Sequence, residues 1–206
     1  MRVLVTAGPT REAIDPVRFL SNRSSGRMGY SVAQALVESG HQVVLVSGPV
    51  ALPLPVGVDL IRVESGLQML EACQGEWSEC QALYAVAVVA DFRPKLVSDK
   101  KMKRAKGEGQ VLELVPNPDI VATLSKSKGD RTIVGFALET HKGEEHAMEK
   151  LRKKGMDFVA LNGPQAQAVE SSQITLIGAD GRTQELGPMG KGDLARQLVQ
   201  LTLGKV

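Results

Sequence analysis

The sequence predicts an α/β protein of the three-layer, Rossmann-like kind, in which helices cover both faces of a mostly parallel sheet and a β-hairpin lies near the C-terminus. Two observations lead to this prediction. Short runs rich in Val, Leu and Ala alternate along the chain with helix-like segments, which is typical of βαβ units. Several of these runs are continuously apolar, as expected for strands that are covered on both faces.

The apolar runs define the expected strands, over residues 3–6, 43–47, 60–63, 83–90, 133–137 and 158–161. Helices are expected between them, over residues 28–39, 66–73, 118–126 and 144–154. Gly40 and Gly155 follow two of these helices, where glycine is favoured just past a C-terminus. Asn117-Pro118-Asp119 predicts a helix start, with Asn117 as the N-cap and the proline in the first turn.

The last forty residues follow a different pattern. Residues 173–177 and 183–186 flank an Asp-Gly turn at 180–181, which predicts a β-hairpin. A final helix is expected over 191–203. Neither an internal repeat nor a Gly/Ser-rich linker divides the 206 residues, so we expect a single domain over 1–206.

The composition excludes several classes of function. The 25 Lys and Arg residues nearly balance the 23 Asp and Glu residues, which argues against general binding to nucleic acid or membrane. Aromatic residues make up only 3%, too few for base-stacking platforms. Met1 is not followed by a signal-peptide pattern or a membrane-span-length apolar run, so we expect a cytoplasmic protein. Cys73 and Cys80 match no zinc spacing and are expected to be free thiols.

The connection between the first strand and the first helix is unusually long for an α/β unit, which indicates a function. It lacks both the Gly-x-Gly-x-x-Gly fingerprint and a Walker A sequence. Its glycines and hydroxyls can still contact a phosphate at the helix start, and the candidates are Gly8, Thr10, Ser24, Ser25 and Gly26. Simple N-capping by Ser25 explains part of the pattern equally well.

Two further side chains of this connection are candidates for chemistry. The amide of Asn22 can hydrogen-bond an acyl-phosphate oxygen, although an isolated Asn is more often a turn residue. Arg18 can bind a carboxylate or phosphate with two hydrogen bonds. Its alternative role is a surface ion pair with Glu12 or Asp15.

Other candidates follow two of the predicted strands. Asp91 ends the most apolar run, and Phe136 lies in Gly-Phe-Ala-Leu-Glu-Thr at 135–140. Ligands bind at the carboxyl ends of strands in open α/β sheets, so we favour a ligand role for Asp91 over a helix cap. Phe136 is either a core residue or a packing surface for a flat base.

A basic segment follows Asp91, and we expect a mobile flap at about 93–110. Most of its charges are cationic, and two glycines lie at its end. A solvated surface is the ordinary interpretation of such a run. Its place at the carboxyl edge of the sheet suits a flap that closes over a polyanion. The cations after Arg93 are Lys95, Lys100, Lys101, Lys103, Arg104 and Lys106.

Motifs of other enzyme classes are missing. Neither tyrosine begins the Tyr-x-x-x-Lys pair of short-chain dehydrogenases, and there is no Gly-x-Ser-x-Gly nucleophile elbow. His141 and His146 are five residues apart, which suits no metal motif on one helix face.

Taken together, the motifs resemble the phosphopantothenate–cysteine ligase (phosphopantothenoylcysteine synthetase) family of the bacterial, CTP-dependent type. The resemblance covers nearly the whole chain. Its segments are Thr-Ala-Gly-Pro-Thr-Arg-Glu (6–12), Ile-Asp-Pro-Val-Arg (14–18), Ser-Asn-Arg-Ser-Ser-Gly-Arg-Met-Gly (21–29), Val-Ala-Asp-Phe-Arg-Pro (89–94), Lys-Met-Lys-Arg (101–104), Asn-Pro-Asp-Ile-Val-Ala (117–122), Gly-Phe-Ala-Leu-Glu-Thr (135–140) and Lys-Leu-Arg-Lys-Lys-Gly-Met-Asp (150–157).

The resemblance implies a two-step ligation in coenzyme A biosynthesis. CTP, with Mg²⁺ on its triphosphate, activates the carboxylate of 4'-phosphopantothenate as an acyl-cytidylate, and the amine of L-cysteine then displaces CMP. It also implies a homodimer and a decarboxylase domain or protein as a partner. Activation is required because a carboxylate is inert to amines until it carries a good leaving group, and cations must bring two polyanions together.

The family also implies roles for particular residues. Asn22 positions the acyl-cytidylate, Arg18 belongs to the same catalytic loop, and Lys101 is the flap lysine that contacts the nucleotide. The remaining nucleotide-binding positions are Ala85, Val86, Ala87, Asp91, Pro118, Asp119, Ile120, Val121, Phe136, Lys150 and Lys154. Helix-dipole complementarity is an alternative explanation of the two lysines.

Three positions depart from the family pattern. Ala87-Val88 replaces a pair of small residues, the flap sequence is Lys-Met-Lys-Arg rather than Lys-Ile-Lys-Lys, and Gly163 follows Asn162 where aspartate is usual. The bulk of Val88 keeps open a nucleotide-binding module without catalysis. A nicotinamide- or flavin-dependent oxidoreductase is a further alternative, against which the missing motifs count.

Overall fold

The structure, a computed structural model, describes residues 1–103, 109–138, 143–162 and 171–204. The helices in these residues are α1 (Arg27–Glu38), α2 (Gly66–Trp77), α3 (Ile120–Ser125), α4 (Gly143–Lys153) and α5 (Lys191–Leu203). The strands are β1 (Arg2–Ala7), β2 (Arg11–Ala13), β3 (Phe19–Ser21), β4 (Gln42–Ser47), β5 (Val58–Arg62), β6 (Ala82–Ala85), β7 (Phe92–Pro94), β8 (Leu114–Pro116), β9 (Thr132–Leu138), β10 (Phe158–Asn162), β11 (Ser171–Gly178) and β12 (Thr183–Gly190).

Eight strands form one sheet in the order β12-β11-β10-β9-β6-β1-β4-β5. The six strands from β10 to β5 are parallel, and the β11–β12 hairpin continues the sheet in antiparallel pairing. The predicted Rossmann-like class is therefore confirmed, together with the hairpin and the last helix over 191–203. Two small antiparallel sheets, β2–β3 and β7–β8, lie outside the main sheet.

The strands are buried because both faces of the sheet carry helices. Along β1, Val3 and Val5 pack with α1 and α5, while Leu4 between them packs with α2, α3 and α4 on the other face. All three side chains are fully buried. This is the period of two of a strand, and it explains why the run shows no alternation between apolar and polar residues.

The strand predicted over 83–90 is wrong in its second half. β6 ends at Ala85, and the following residues leave the sheet to run beside the loop after β1. Val86 N–H donates to Thr6 O (3.2 Å) and Val88 N–H donates to Gly8 O (2.9 Å). Asp91 therefore does not end a strand of the main sheet, and it lies on the segment beyond it.

The predicted start of α3 also needs correction. The N-cap is Asp119, whose carboxylate accepts a hydrogen bond from Ala122 N–H. Asn117 is not the cap because its amide is used elsewhere and donates to Ala90 O at 2.8 Å. Cys73 and Cys80 are buried free thiols, as predicted. Burial raises the pKa of Cys73 to about 12.

No helix among the described residues combines the length and the apolar character that a membrane crossing requires.

Gly29 brings α1 close to β1. A Cβ atom at this position would lie 2.5 Å from Ala7 Cβ and 3.1 Å from Ala7 Cα. Contacts this short do not occur, so any side chain here would push the start of α1 away from the sheet. The glycine therefore fixes where the N-terminus of α1 lies relative to the end of β1.

We expect Gly29→Ala to lower the free energy of unfolding by about 1–3 kcal/mol, because the added methyl overpacks a buried contact. Urea denaturation measures the change. Gly75→Ala is the matched control, since Gly75 also lies in a helix but a Cβ there meets nothing within 4 Å. The control should gain about 1 kcal/mol from helix propensity. Equal effects of the two substitutions would contradict the close approach at Gly29.

Candidate functional site

A cleft of about 750 Å³ opens at the carboxyl ends of the parallel strands. The chain passes from β1 to β4 on one side and returns to β6 on the other, so the strand order reverses between β1 and β6. Ligands bind at such a reversal point in open α/β sheets. Residues 22–29, 85–91, 117–121 and 135–137 form most of the wall.

The cleft brings together most of the candidate residues. All proposed nucleotide-binding positions except Lys101 lie on its wall, and so do Asn22, Ser24, Ser25 and Gly26. Arg18, Lys101, Gly8 and Thr10 do not line it. The roles assigned to the candidate residues stay predictions. Segments that are far apart in the sequence do, however, meet in this cleft.

The side chain of Asn22 spans the mouth of the cleft. It is exposed, and its Nδ2 donates to Val88 O and to Val89 O, each at 3.3 Å. The amide is thereby held beside the backbone that follows β6. Val88, the bulky departure from the family pattern, faces solvent at 39% exposure and also lines the cleft.

The loop that precedes α1 presents backbone rather than side-chain caps. Gly26 is the N-cap, with φ +76° and no side-chain cap hydrogen bond. The alternative in which Ser25 caps α1 is therefore wrong. A Cβ at Gly26 would lie 2.6 Å from Val50 Cγ1 and 3.3 Å from Gly8 Cα, so glycine is needed for the close approach. Without a side-chain cap, the first N–H groups of α1 remain available to a ligand.

Gly8 and Thr10 do not line the cleft, but they contact the segments that do. Thr10 is buried, and its hydroxyl oxygen accepts from Ala90 N–H at 3.0 Å. Its carbonyl oxygen accepts from the Ser21 hydroxyl at 2.7 Å. The described contacts of Thr10 therefore join the two segments of the wall.

Asp15 ties the Asn22 loop to the flap. Its buried carboxylate accepts from the backbone N–H groups of Val17 (2.9 Å), Arg18 (2.9 Å) and Met102 (3.1 Å). The Arg18 guanidinium donates to the same carboxylate and to Met102 O at 2.8 Å. The hydrogen bonds from Arg18, aided by those of the backbone, hold the pKa of Asp15 well below its ordinary value.

This geometry settles the ion-pair alternative for Arg18. Its partner is Asp15. Glu12, the other candidate, is buried and accepts from Gly66 N–H at 2.9 Å. Lys101 precedes Met102 and is exposed, so the flap lysine lies next to the point where the flap is attached.

The base of the flap is a two-stranded antiparallel ribbon. β7 pairs with β8, Lys95 forms an ion pair with Glu113 at 2.6 Å, and Ser98 N–H donates to Ile14 O at 3.0 Å. The mobility of the flap stays a prediction. Arg104, Lys106, Gly107 and Glu108 lie outside the described residues, as do Glu139, Thr140, His141 and Gly163.

Asp119 and two lysines form the opposite wall. Lys154 Nζ lies 2.8 Å from Asp119 Oδ2, and Lys150 Nζ donates to Phe136 O at 3.4 Å. Burial raises the pKa of Asp119, but the hydrogen bonds from Ala122 N–H and Lys154 outweigh it and leave the pKa below its ordinary value. Phe136 is half-buried and lines the cleft.

Several residues of the wall were not among the sequence candidates, and four of them are polar or charged groups distant from the catalytic loop or at helix starts. Arg27, Asn162, Ser172 and Lys191 all line the cleft. One signal could have found two of them, because Arg27 and Lys191 are the first residues of helices, where a cation opposes the helix dipole.

The described part of the chain has no group of three or more His, Cys, Asp or Glu side chains that could hold a metal ion. Asp91 and Asp119 are the carboxylates on the described wall. Mg²⁺ in nucleotide sites commonly takes one or two carboxylates together with substrate phosphates and water, so this donor set fits a nucleotide-borne Mg²⁺.

The sequence matches the family described as DNA/pantothenate metabolism flavoprotein C-terminal domain over residues 1–204. It is 41% identical over 203 residues to the coenzyme A biosynthesis bifunctional protein CoaBC of Bacillus subtilis, covering 96% of this chain and 50% of that protein. The Vibrio cholerae protein of the same name is 48% identical over 163 residues, or 78% of this chain and 41% of that one. The chain thus spans about half the length of these relatives.

A solved structure of the C-terminal domain of a CoaBC protein is similar over nearly its whole length. The TM-score is 0.84 at 40% sequence identity, and the match covers 97% of this chain and 92% of that one.

We expect Asp15→Asn to loosen the attachment of the flap, because an amide cannot accept the Arg18 guanidinium and three backbone N–H groups as a carboxylate does. Hydrogen exchange should become faster at the amides of Val17, Arg18 and Met102. Asp99→Asn, at an exposed carboxylate of the same ribbon, is the control and should change none of them.

The same pair of variants tests the electrostatics. Because folding lowers the pKa of Asp15, its stabilisation is complete above the unfolded pKa of about 4 and is lost as pH falls towards the folded value. The stability difference between wild type and Asp15→Asn should therefore be constant from pH 7 to about 5 and shrink in stronger acid. A difference that grew in acid would contradict this assignment.

Proposed function

We propose that this chain, which belongs to the DNA/pantothenate metabolism flavoprotein C-terminal domain family, is a phosphopantothenate–cysteine ligase of coenzyme A biosynthesis. The relatives named above support the pathway, because they are coenzyme A biosynthesis proteins. The similarity to a solved CoaBC C-terminal domain supports the assignment to this half of such proteins.

One observation carries the proposal. The cleft joins the Asn22 amide, the uncapped start of α1 and the lysines beside Asp119. These are, respectively, a donor for an acyl-phosphate oxygen, a cradle for phosphate and cations for a nucleotide. A reaction between two polyanions at an activated carboxylate needs all three.

In the first step, a carboxylate oxygen of 4'-phosphopantothenate attacks the α-phosphorus of CTP, and pyrophosphate leaves. The product is an acyl-cytidylate, a mixed anhydride whose acyl carbon is open to nucleophiles. Lys150 and Lys154 offer positive charge at the far wall, while Asp91, exposed on the segment after β6, is available to the ribose or base.

In the second step, the amine of L-cysteine attacks the acyl carbon, loses a proton and displaces CMP. Asn22 is suited to hold the acyl-cytidylate because its amide lies at the cleft, where one N–H can exchange its 3.3 Å hydrogen bond to Val88 O or Val89 O for one to the intermediate. Arg18 steadies that loop through Asp15. The flap would bring Lys101 to the nucleotide as it closes.

Mg²⁺ would enter with the triphosphate and neutralise part of its charge. Asp119 is occupied by the α3 N-cap and by Lys154, so phosphate oxygens and water would supply most of the ligands of the ion. The choice of CTP rests on the family resemblance.

The first alternative is an oxidoreductase. The sheet order of this chain suits that function, but the Gly-x-Gly-x-x-Gly turn is missing and no observed contact favours it. The second alternative, a nucleotide-binding module without catalysis, is supported only by the bulk of Val88. Since Val88 O accepts from Asn22, the substitution leaves the amide held at the mouth of the cleft, which supports the active ligase.

We also propose a cytoplasmic homodimer that works with a phosphopantothenoylcysteine decarboxylase, because relatives twice as long are bifunctional. The homodimer has its own physical support. The β2–β3 and β7–β8 sheets adjoin, and most large apolar side chains that the described residues expose lie on them or on their connections, namely Val17, Phe19, Phe92, Leu96, Val97, Val111, Leu112 and Leu114. A second copy would remove this surface from water.

We expect Val111→Glu to shift the dimer towards monomer, because it adds a charge to this surface. Sedimentation velocity at several concentrations measures the shift. Val111 is 94% exposed, and Val56→Glu, at a site 88% exposed in a different loop, is the matched control that should stay dimeric. A monomeric wild type would refute the homodimer directly.

The ligase itself is tested by pyrophosphate release with 4'-phosphopantothenate and Mg²⁺, with CTP and ATP in parallel and with or without cysteine. We expect a CTP-dependent burst that turns over only with cysteine. Activity with ATP would keep the ligase and overturn the nucleotide. No release from a folded protein that binds CTP would favour the non-catalytic module.

In the same assay, Asn22→Asp should leave pyrophosphate release largely intact and slow amide formation by about 10²-fold, the usual effect of losing one oxyanion donor. Complete loss of CTP binding in this variant would mean that Asn22 has a different role.

A further inference from the structure

Two helices at the cleft begin with a positively charged residue, which is unfavourable at a helix N-terminus. α1 starts at Arg27 and α5 at Lys191, and the two helices pack against each other. A cation in the first turn is repelled by the helix dipole. The N-caps Gly26 and Gly190 make no side-chain cap hydrogen bond. Both helix starts therefore combine available N–H groups with a cation.

The two cations are close enough to repel each other. Burial lowers the pKa of Lys191, and the nearby positive charge of Arg27 lowers it further. Neither side chain has a hydrogen bond or an ion pair to another described residue. Arg196, one turn further along α5, differs because it pairs with Asp193 at 2.7 Å and with Glu38 at 3.3 Å.

Both cations also stand between two cavities. Arg27 and Lys191 line the main cleft and, in addition, a side cavity of about 400 Å³ next to Leu52 and Pro53. An ion held between the exposed Arg27 and the half-buried Lys191 would lie where the main cleft meets the side cavity. Water screens charge less there than on open surface.

A buried hydroxyl points to the same ligand. Ser172 is only 5% exposed and lines the cleft, and its Oγ has no hydrogen-bond partner among the residues that the structure describes. A buried hydroxyl without a partner is uncommon and costs free energy. The register of β11 against β12 shifts between Ser172 and Ile174, so the residue lies at an irregularity of the strand. Rotation about its Cα–Cβ bond would let the hydroxyl donate into the cleft.

We propose that Arg27, Lys191 and Ser172 form a phosphate-binding subsite at this end of the cleft. A phosphate there would neutralise the two cations and accept hydrogen bonds from the first turns of α1 and α5 and from the Ser172 hydroxyl. Only the source of the phosphate depends on the proposed function. It is either the phosphate chain of the nucleotide or the phosphate of 4'-phosphopantothenate.

The test is equilibrium binding by calorimetry, with pyrophosphate, CTP and 4'-phosphopantothenate as separate probes on the full chain. We expect Lys191→Gln to weaken pyrophosphate binding roughly tenfold or more, because it removes a charge-assisted hydrogen bond. Arg196→Gln is the matched control, since that guanidinium lines the side cavity but is neutralised, and it should bind as wild type does. Lys191→Arg should recover most of the affinity.

Ser172→Ala separates ligand binding from folding. Because its hydroxyl has no partner among the described residues of the free protein, the variant should be at least as stable as wild type to heat and yet bind pyrophosphate about threefold more weakly. Lower stability with unchanged binding would overturn the role of Ser172.

The other probes identify the source. Weaker CTP binding by Lys191→Gln, with unchanged 4'-phosphopantothenate binding, assigns the subsite to the nucleotide, and the reverse result assigns it to the acyl substrate. Unchanged binding of all three probes overturns the subsite, as does an equal loss in Arg196→Gln. A chain that binds pyrophosphate through Lys191 but forms no amide keeps the subsite and loses the ligase. Full ligase activity of Lys191→Gln, with an unchanged KM for both substrates, keeps the ligase and overturns the subsite.

Discussion

Two threonine hydroxyls hold the wall of the cleft after it has left the sheet. Thr6 Oγ1 accepts from Ala87 N–H at 3.2 Å, and Thr10 Oγ1 accepts from Ala90 N–H at 3.0 Å. Backbone N–H groups in a half-buried segment must find partners. Val86 and Val88 still donate to the backbone oxygens of Thr6 and Gly8, and the threonine hydroxyls accept from Ala87 and Ala90. The segment can therefore diverge from β1 and open a cleft without leaving these donors unpaired.

The carbonyl oxygens of that segment then set up the chemistry. Those of Val88 and Val89 face Asn22, and that of Ala90 accepts from Asn117 at 2.8 Å. Each amide joins the segment to a different loop. The position of Asn22 is therefore a consequence of where the threonines place the backbone, and a disturbance at Thr10 would reach the mouth of the cleft although Thr10 does not line it.

These contacts also explain what the sequence could predict. The strands and helices of the sheet follow from local periodicity, and the final helix over 191–203 matches in both bounds. The end of β6 does not follow from local periodicity. Val86–Ala90 remains apolar, and its path is changed by threonines about 80 positions away in the sequence. Asn117 failed as a cap for the same reason, since a distant carbonyl takes its amide. The residues themselves indicated Asn22, Arg18 and the candidates at the strand ends, whereas their roles and the remaining nucleotide positions came from the family resemblance. Ser172 gave no local signal.

The charges of the site divide by whether they have partners, and the division indicates how it works. Arg18 is bound to Asp15 and Lys154 to Asp119, so both charges are partly neutralised in the free protein, and Arg18 mainly positions the loop that carries it. Arg27 and Lys191 repel each other across two helix starts, which is unfavourable in the free protein. That cost is recovered only when an anion is present. A site that must hold polyanions and release pyrophosphate benefits from this arrangement, because unpaired cations attract the phosphates while Arg18, paired with Asp15, keeps its loop in place.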